Sequence, residues 1–193
     1  IHGTDKHHFV HPHLRVPIEV TAEDAALTLQ HNDNPTKVTH HYVELMRRKY
    51  QFVREVLSYA ESFRKTRTHL AWIDLGITHT ALREIDSLDV FDDANLPSGL
   101  RVHMLRYFDE RDTAAADYLH HVQGHLAGGL VIGTNAAMAQ LYRAFEDEDR
   151  AARAKGRAVL DEGLLSAVVA RMPAAQVEYS MGDYCDMLRN FDV

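Results

Sequence analysis

The chain has 193 residues, 46% of them hydrophobic, with a formal net charge of −7 and no concentrated Lys/Arg tract. This length and composition predict one globular domain with a full core, and the acidic balance argues against nucleic acid or an anionic membrane as partner. Cys185 is the only cysteine, which excludes a disulfide framework and a thiolate zinc site, and no apolar run approaches the length of a bilayer span.

Residues 1–17 read as a His-rich, extended leader, with His2, His7, His8, His11 and His13 among its members, and residues 18–193 as the single domain. Metal capture competes there with a mobile polar leader, and composition favours the leader. The first residue is Ile1 rather than Met, which leaves room for a removed targeting peptide. A soluble protein of a reducing compartment or organelle is the expectation, with the compartment itself open.

Thr21-Ala22-Glu23-Asp24 predicts a helix start with Thr21 as N-cap, the helix ending near Asn32-Asp33-Asn34-Pro35. A long helix is predicted from Thr36, with Val38, Tyr42, Met46, Tyr50, Val53, Leu57 and Ala60 on one stripe. A third is predicted through Leu70, Ile73, Ile77, Ala81 and Ile85. A fourth follows the turn at Leu96-Pro97-Ser98-Gly99 and carries Leu100, Met104, Tyr107 and Phe108. One long helix is predicted over roughly 113–146, then an Ala- and Arg-rich stretch over 149–169. A last helix runs through Val177, Met181, Tyr184 and Leu188. With no alternating β pattern, the expected fold is all-α, a bundle of uneven helices.

The run from Gly124 to Gly133 stands out inside the helix predicted over 113–146. Four glycines in ten residues cost a helix roughly 3–4 kcal/mol, which points to a close approach or a kink. On a helix, Gly124, Gly128, His121, Ile132, His125 and Gly129 share an arc of roughly 140°, so a bare face with two histidines suits a planar ligand. Tight helix packing through small residues is the competing reading. His121 and His125 also have an i, i+4 spacing suited to zinc, but Val122 stands where a zinc-hydrolase motif has Glu.

Gly124-His125-Leu126-Ala127-Gly128-Gly129 resembles the distal-helix motif Gly-Asp-Leu-Ser-Gly-Gly of the heme oxygenase family. Lys37-Val38-Thr39 and Leu70-Ala71-Trp72-Ile73-Asp74-Leu75 are similar to segments of that family's earlier helices, so the likeness covers about residues 20 to 190 in outline. It implies a heme-oxygenase-like helical bundle with a glycine-kinked distal helix over heme. Gly124, Gly128, Gly129 and His121 would then face the heme. His125 would take the catalytic aspartate's place or ligate iron, and Tyr179 would line the pocket. Arg153, Lys155 and Arg157 would pair with propionates. Counting back from Val38-Thr39, the family's proximal histidine falls on Thr21, so ligation would need His31 or His13.

Three functions follow from the resemblance. The first is a divergent heme-oxygenase-like protein lacking standard catalysis. The second is an active enzyme opening heme to biliverdin with oxygen and a reductase or ferredoxin-type electron donor. The third is a scaffold or assembly subunit that binds a protein partner and no heme. A diiron oxidase fits poorly, because no histidine follows His125.

Overall fold

The first element forms as its residues dictate. In a computed structural model, whose described residues are 18–32, 34, 37, 39–59, 68–74, 95–114 and 117–187, Thr21 closes a capping box on helix α1 (Ala22–Ala25). Its hydroxyl accepts the Asp24 N–H at 3.1 Å, and the Asp24 carboxylate accepts the Thr21 N–H at 3.2 Å. The helix lasts one turn. The chain then enters strand β1 (Thr28–Leu29), which pairs in parallel with β5 (Arg157–Ala158).

Helix α2 (His40–Tyr59) realises the predicted long helix, burying Val43, Tyr50, Val53 and Leu57 on one stripe. Strands β2 (His69–Ile73) and β3 (Leu100–Met104) follow, then helix α3 (Glu110–Ala114), strand β4 (Leu126–Thr134) and helix α4 (Asn135–Ala154). Helix α5 (Asp161–Val169) and strand β6 (Val177–Met181) complete the frame. Four strands form a mixed sheet in the order β2-β4-β3-β6. β4 runs antiparallel to both β2 and β3, and β3 runs parallel to β6. The carboxyl ends of β2, β3 and β6 therefore share one end of the sheet with the start of β4.

Helices α2, α4 and α5 cover one face. Tyr50 and Phe145 stack there with ring centres 3.6 Å apart, and Leu100, Val102, Val131, Leu141, Leu164 and Val168 fill the layer. On the other face Ala127, Leu130, Ile132 and Met187 form a smaller layer with Ala71 and Ile73. Helix α5 is buried from Gly163 to Val169, as a helix apolar all round should be.

The all-α expectation is overturned: the fold is mixed α/β, and the described residues do not form a heme-oxygenase-like bundle. The predicted third helix is strand β2 at Leu70 and Ile73, the fourth is β3 at Leu100 and Met104 with Tyr107 and Phe108 in the loop after it, and the last is β6 at Val177 and Met181 with Tyr184 in a 3₁₀ turn. The long helix expected over 113–146 breaks into α3, a 3₁₀ turn at Tyr118–His120, β4 and α4. The physical reason differs between the strands. β3 does alternate, Leu100, Val102 and Met104 against Arg101 and His103, but over only five residues, whereas β4 is buried save Gly129 and Thr134. A strand covered on both faces shows an apolar run, not alternation, and such a run cannot be told from a buried helix by period.

The glycine run is a strand with an offset, not a kinked distal helix. Against β2 the register of β4 is unbroken from His69↔Thr134 to Ile73↔Leu130. Against β3 it jumps from Val102↔Val131 to His103↔Ala127. Gly128, Gly129 and Leu130 thus bulge away from β3 while β4 stays paired with β2. Residues 1–17, with His13 and the other leader histidines, lie outside the described residues, as do Ile77, Ala81, Ile85 and Leu188. Among the described residues no helix is long and apolar enough to cross a membrane.

Candidate functional site

Acidic side chains converge at the carboxyl end of β2. Ile73 faces the Met187 layer, so alternation turns Asp74 toward the helices. The Asp74 N–H continues the ladder by donating to the Gly129 carbonyl at 2.9 Å. The Trp72 indole N–H donates to Asp74 Oδ1 at 2.6 Å. From α2, the buried Lys49 ammonium reaches Asp74 Oδ2 at 2.9 Å and Asp161 Oδ2 at 3.0 Å.

Helix α5 supplies Asp161 and Glu162 in its first turn, where carboxylates complement the helix dipole. Leu160, its N-cap, has no side-chain oxygen, and Gln30 Oε1 accepts the Leu160 N–H at 3.1 Å instead. The turn rests directly on the bulge. A Cβ on Gly128 would stand 2.7 Å from Asp161 Oδ2 and 3.4 Å from Glu162 Cγ. Absence of a side chain at 128 is what lets α5 bring its acids to the end of β2.

The charges are unequal in their partners. Burial alone would lower the Lys49 pKa, but Asp161 and Asp74 overcome it and hold the ammonium well above its ordinary value. Glu162 is displaced upward, first by burial and then by repulsion from Asp161. The Tyr184 hydroxyl, Lys37 and Lys49 oppose that shift without cancelling it. The Tyr184 hydroxyl donates to Glu162 Oε1 at 2.7 Å. Its own pKa is raised by burial and by the Glu162 charge. Tyr184 is positioned by a 3₁₀ turn (Tyr184–Asp186) whose N-cap Asp183 accepts the Cys185 N–H at 2.7 Å. Tyr42, two turns before Lys49 on α2, has a pKa raised by burial and by Asp161.

Behind Lys49, bounded by Tyr50, Trp72, Gly128 and Met138, lies a cavity of about 10 Å³, room for at most one water. The rim of the site is open to solvent, with Glu162 half-buried and Tyr184 36% exposed. Among the described residues no group of three or more His, Cys, Asp or Glu side chains could hold a metal ion. This arrangement can take up and release a proton at Glu162 while Lys49 holds two neighbouring carboxylates in ion pairs.

The residues singled out in the sequence scatter. Gly128 and Gly129 do lie at the site, as bulge residues. Gly124 precedes β4 with φ +59°, the left-handed region glycine favours. His125 packs between Phe108 and Tyr118, with ring centres 5.2 and 5.9 Å away, and its Nδ1 has no partner among the described residues. His31 and His121 lie together on the surface, bridged by backbone pairing. Arg153 is consumed in a network with Asp24, Glu44 and Asp149 that ties α1 to α2 and α4. Lys155 caps the end of α4, Arg157 lies on β5 beside Thr28, and Tyr179 stands on the edge strand β6, 41% exposed. With a strand where the distal helix was expected, these residues do not surround one planar ligand.

Sequence reasoning missed Lys49, Asp74, Asp161, Glu162 and Tyr184. The available signal was slight: an acid directly after each of two apolar runs, at Trp72-Ile73-Asp74 and Val159-Leu160-Asp161-Glu162.

A family model described as a bacterial protein of unknown function, HtrL_YibB, matches residues 20–193, so the chain belongs to that family and not to the heme oxygenases. Neither the curated proteins nor the solved structures hold a match.

Proposed function

We propose that this HtrL_YibB family member is an enzyme that transfers a group from an activated donor onto the hydroxyl of a small polar substrate. Glu162 takes the hydroxyl proton as general base, the hydroxyl oxygen bonds to the group, and the bond to the donor's leaving group breaks as that leaving group departs with the bonding pair. One observation carries the reading. Glu162 is a half-buried carboxyl with a raised pKa and no ion-pair partner among the described residues, beside two carboxylates that Lys49 pairs. A carboxyl kept for structure would be paired like Asp74 and Asp161. One whose pKa is pushed up toward the working pH suits proton transfer. Its place supports the same reading, since ligands of open α/β sheets bind beyond the carboxyl ends of strands. In this reading Tyr184 orients the Glu162 carboxyl, Lys49 fixes the electrostatics beneath it, and Trp72 and Tyr42 supply the flanking surface.

The test pairs a titration with turnover. Carbon-detected NMR, with the Glu162 resonance assigned by its loss in Glu162→Gln, should show a midpoint above the ordinary glutamate range. Incubation with activated glycosyl, phosphoryl and acyl donors and a hydroxyl acceptor should give a product whose rate falls at least a hundredfold in Glu162→Gln. An ordinary Glu162 midpoint, or turnover untouched by the substitution, overturns the assignment.

A further inference from the structure

His31 and His121 lie ninety positions apart in the sequence, yet the fold sets them side by side. The backbone does this. The His31 N–H donates to the His120 carbonyl at 2.7 Å, and the Val122 N–H donates to the His31 carbonyl at 3.0 Å, forming a parallel bridge between His31 and His121. Residues opposed in such a bridge project their side chains to the same side. The two imidazoles accordingly stand edge to face, with centres 5.3 Å apart and planes at 81°. Gln30 stiffens the junction: its side-chain amide donates to the His121 carbonyl at 2.9 Å while its oxygen accepts the Leu160 N–H. Val122, next along, packs against the buried cluster of Val43, Ala158 and Leu160.

Two imidazoles bound to one tetrahedral ion at nitrogen distances of about 2.0–2.1 Å have ring centres about 5 Å apart. The observed spacing therefore needs only side-chain rotation, not backbone movement, to bring one nitrogen from each ring to a shared ion. Both residues are exposed, so an ion has access and the remaining coordination positions stay open to water or a further ligand. Imidazole pairs select borderline divalent transition ions over calcium or magnesium, which prefer oxygen.

We propose that His31 and His121 form a two-imidazole chelate for a borderline divalent transition metal ion such as Zn²⁺ or Ni²⁺, which ties the segment after β1 to the segment leading into β4. The site is separate from the Glu162 centre, and neither reading depends on the other.

Fourteen histidines make bulk metal uptake uninformative, so the test reads folding. An ion that joins two segments ninety residues apart stabilises the folded state, and substitution of either histidine should remove that stabilisation. Thermal unfolding of the full chain should show Tm rising by several degrees with Zn²⁺ or Ni²⁺ at pH 7.5 and not with Mg²⁺. His31→Ala and His121→Ala should each abolish the rise, and His120→Ala should keep it. Ni²⁺ should also broaden the amide signals of Gln30, His31 and Val122 in wild type and leave them sharp in His31→Ala. A Tm rise that survives either single substitution, no rise in wild type, or broadening confined to residues 1–17 overturns the proposal.

Discussion

Replacing Gly128 with alanine tests the arrangement at the end of β2 most directly. The new Cβ would sit 2.7 Å from Asp161 Oδ2, so the carboxylate must retreat by about 0.7 Å to reach the ordinary contact distance of 3.4 Å. Asp161 opens α5, a buried helix that cannot tilt without disturbing Leu164 and Leu165. The retreat therefore falls on the side chain, which leaves Lys49 Nζ, now at 3.0 Å, outside good hydrogen-bonding range. Overpacking of this kind costs about 1–3 kcal/mol. Outright loss of a partner from a buried ion pair costs about 3–5 kcal/mol. Lys49 keeps Asp74, so only part of that second cost applies, and the expected destabilisation is about 2–3 kcal/mol.

Urea denaturation should show the midpoint falling by about 1 M with an unchanged slope. Gly124→Ala is the internal control. Nothing lies within 4 Å of its Cβ, but its φ is +59°, so only backbone strain of about 1 kcal/mol applies. A Gly128→Ala loss below about 0.5 kcal/mol, or one smaller than that of Gly124→Ala, refutes the close packing of α5 on the bulge.

Lys49→Met strands Asp74 and Asp161 without their cation and should cost about 3–5 kcal/mol at pH 7, which urea denaturation checks. Glu162 has a folded pKa above its unfolded value, so the native state binds the extra proton and stability falls as pH rises from 4.5 through the folded value. Glu162→Gln should flatten that part of the pH profile and be at least as stable as wild type at pH 7. On the opposite face, burial lowers the His103 pKa, opposed by its bond to the Asp183 carbonyl. That carbonyl accepts from His103 Nε2 at 2.9 Å, which leaves Nδ1 to accept the Ser180 hydroxyl at 2.8 Å. Neutral His103 is thus the native form, so stability should climb with pH from the folded value up to about 6.5. Ser180→Ala should cost about 1–3 kcal/mol by orphaning Nδ1, measured at pH 7.5 by denaturation.

Local signals held where local physics governs. Thr21 and Asp24 make a capping box from their own backbone and side chains, and the stripe of α2 survives because one of its faces meets the core and the other meets water. Strand β4 failed the same reading because helices cover one face and the Met187 layer covers the other, erasing the alternation that marks a half-buried strand, whereas β3 keeps that alternation, Leu100, Val102 and Met104 against Arg101 and His103, over only five residues. The site was illegible for a related reason. Lys49, Asp74 and Asp161 are 25 and 112 positions apart from one another as ion-pair partners, so no spacing in the chain announces them.

The sequence by itself determined that the chain is acidic with one cysteine, that Thr21 caps a helix, that a long helix follows the turn near Pro35, and that the glycines near 128 mark a close approach or a kink. Composition, capping and burial periodicity are properties of neighbouring residues, so a linear reading reaches them. Only the tertiary structure decided what approaches those glycines. It is the first turn of α5, and the bulge that admits it exists because β4 keeps register with β2 while slipping against β3. A register shift is a relation among three strands, and it sets which carboxylates share one ammonium and which one meets the Tyr184 hydroxyl instead.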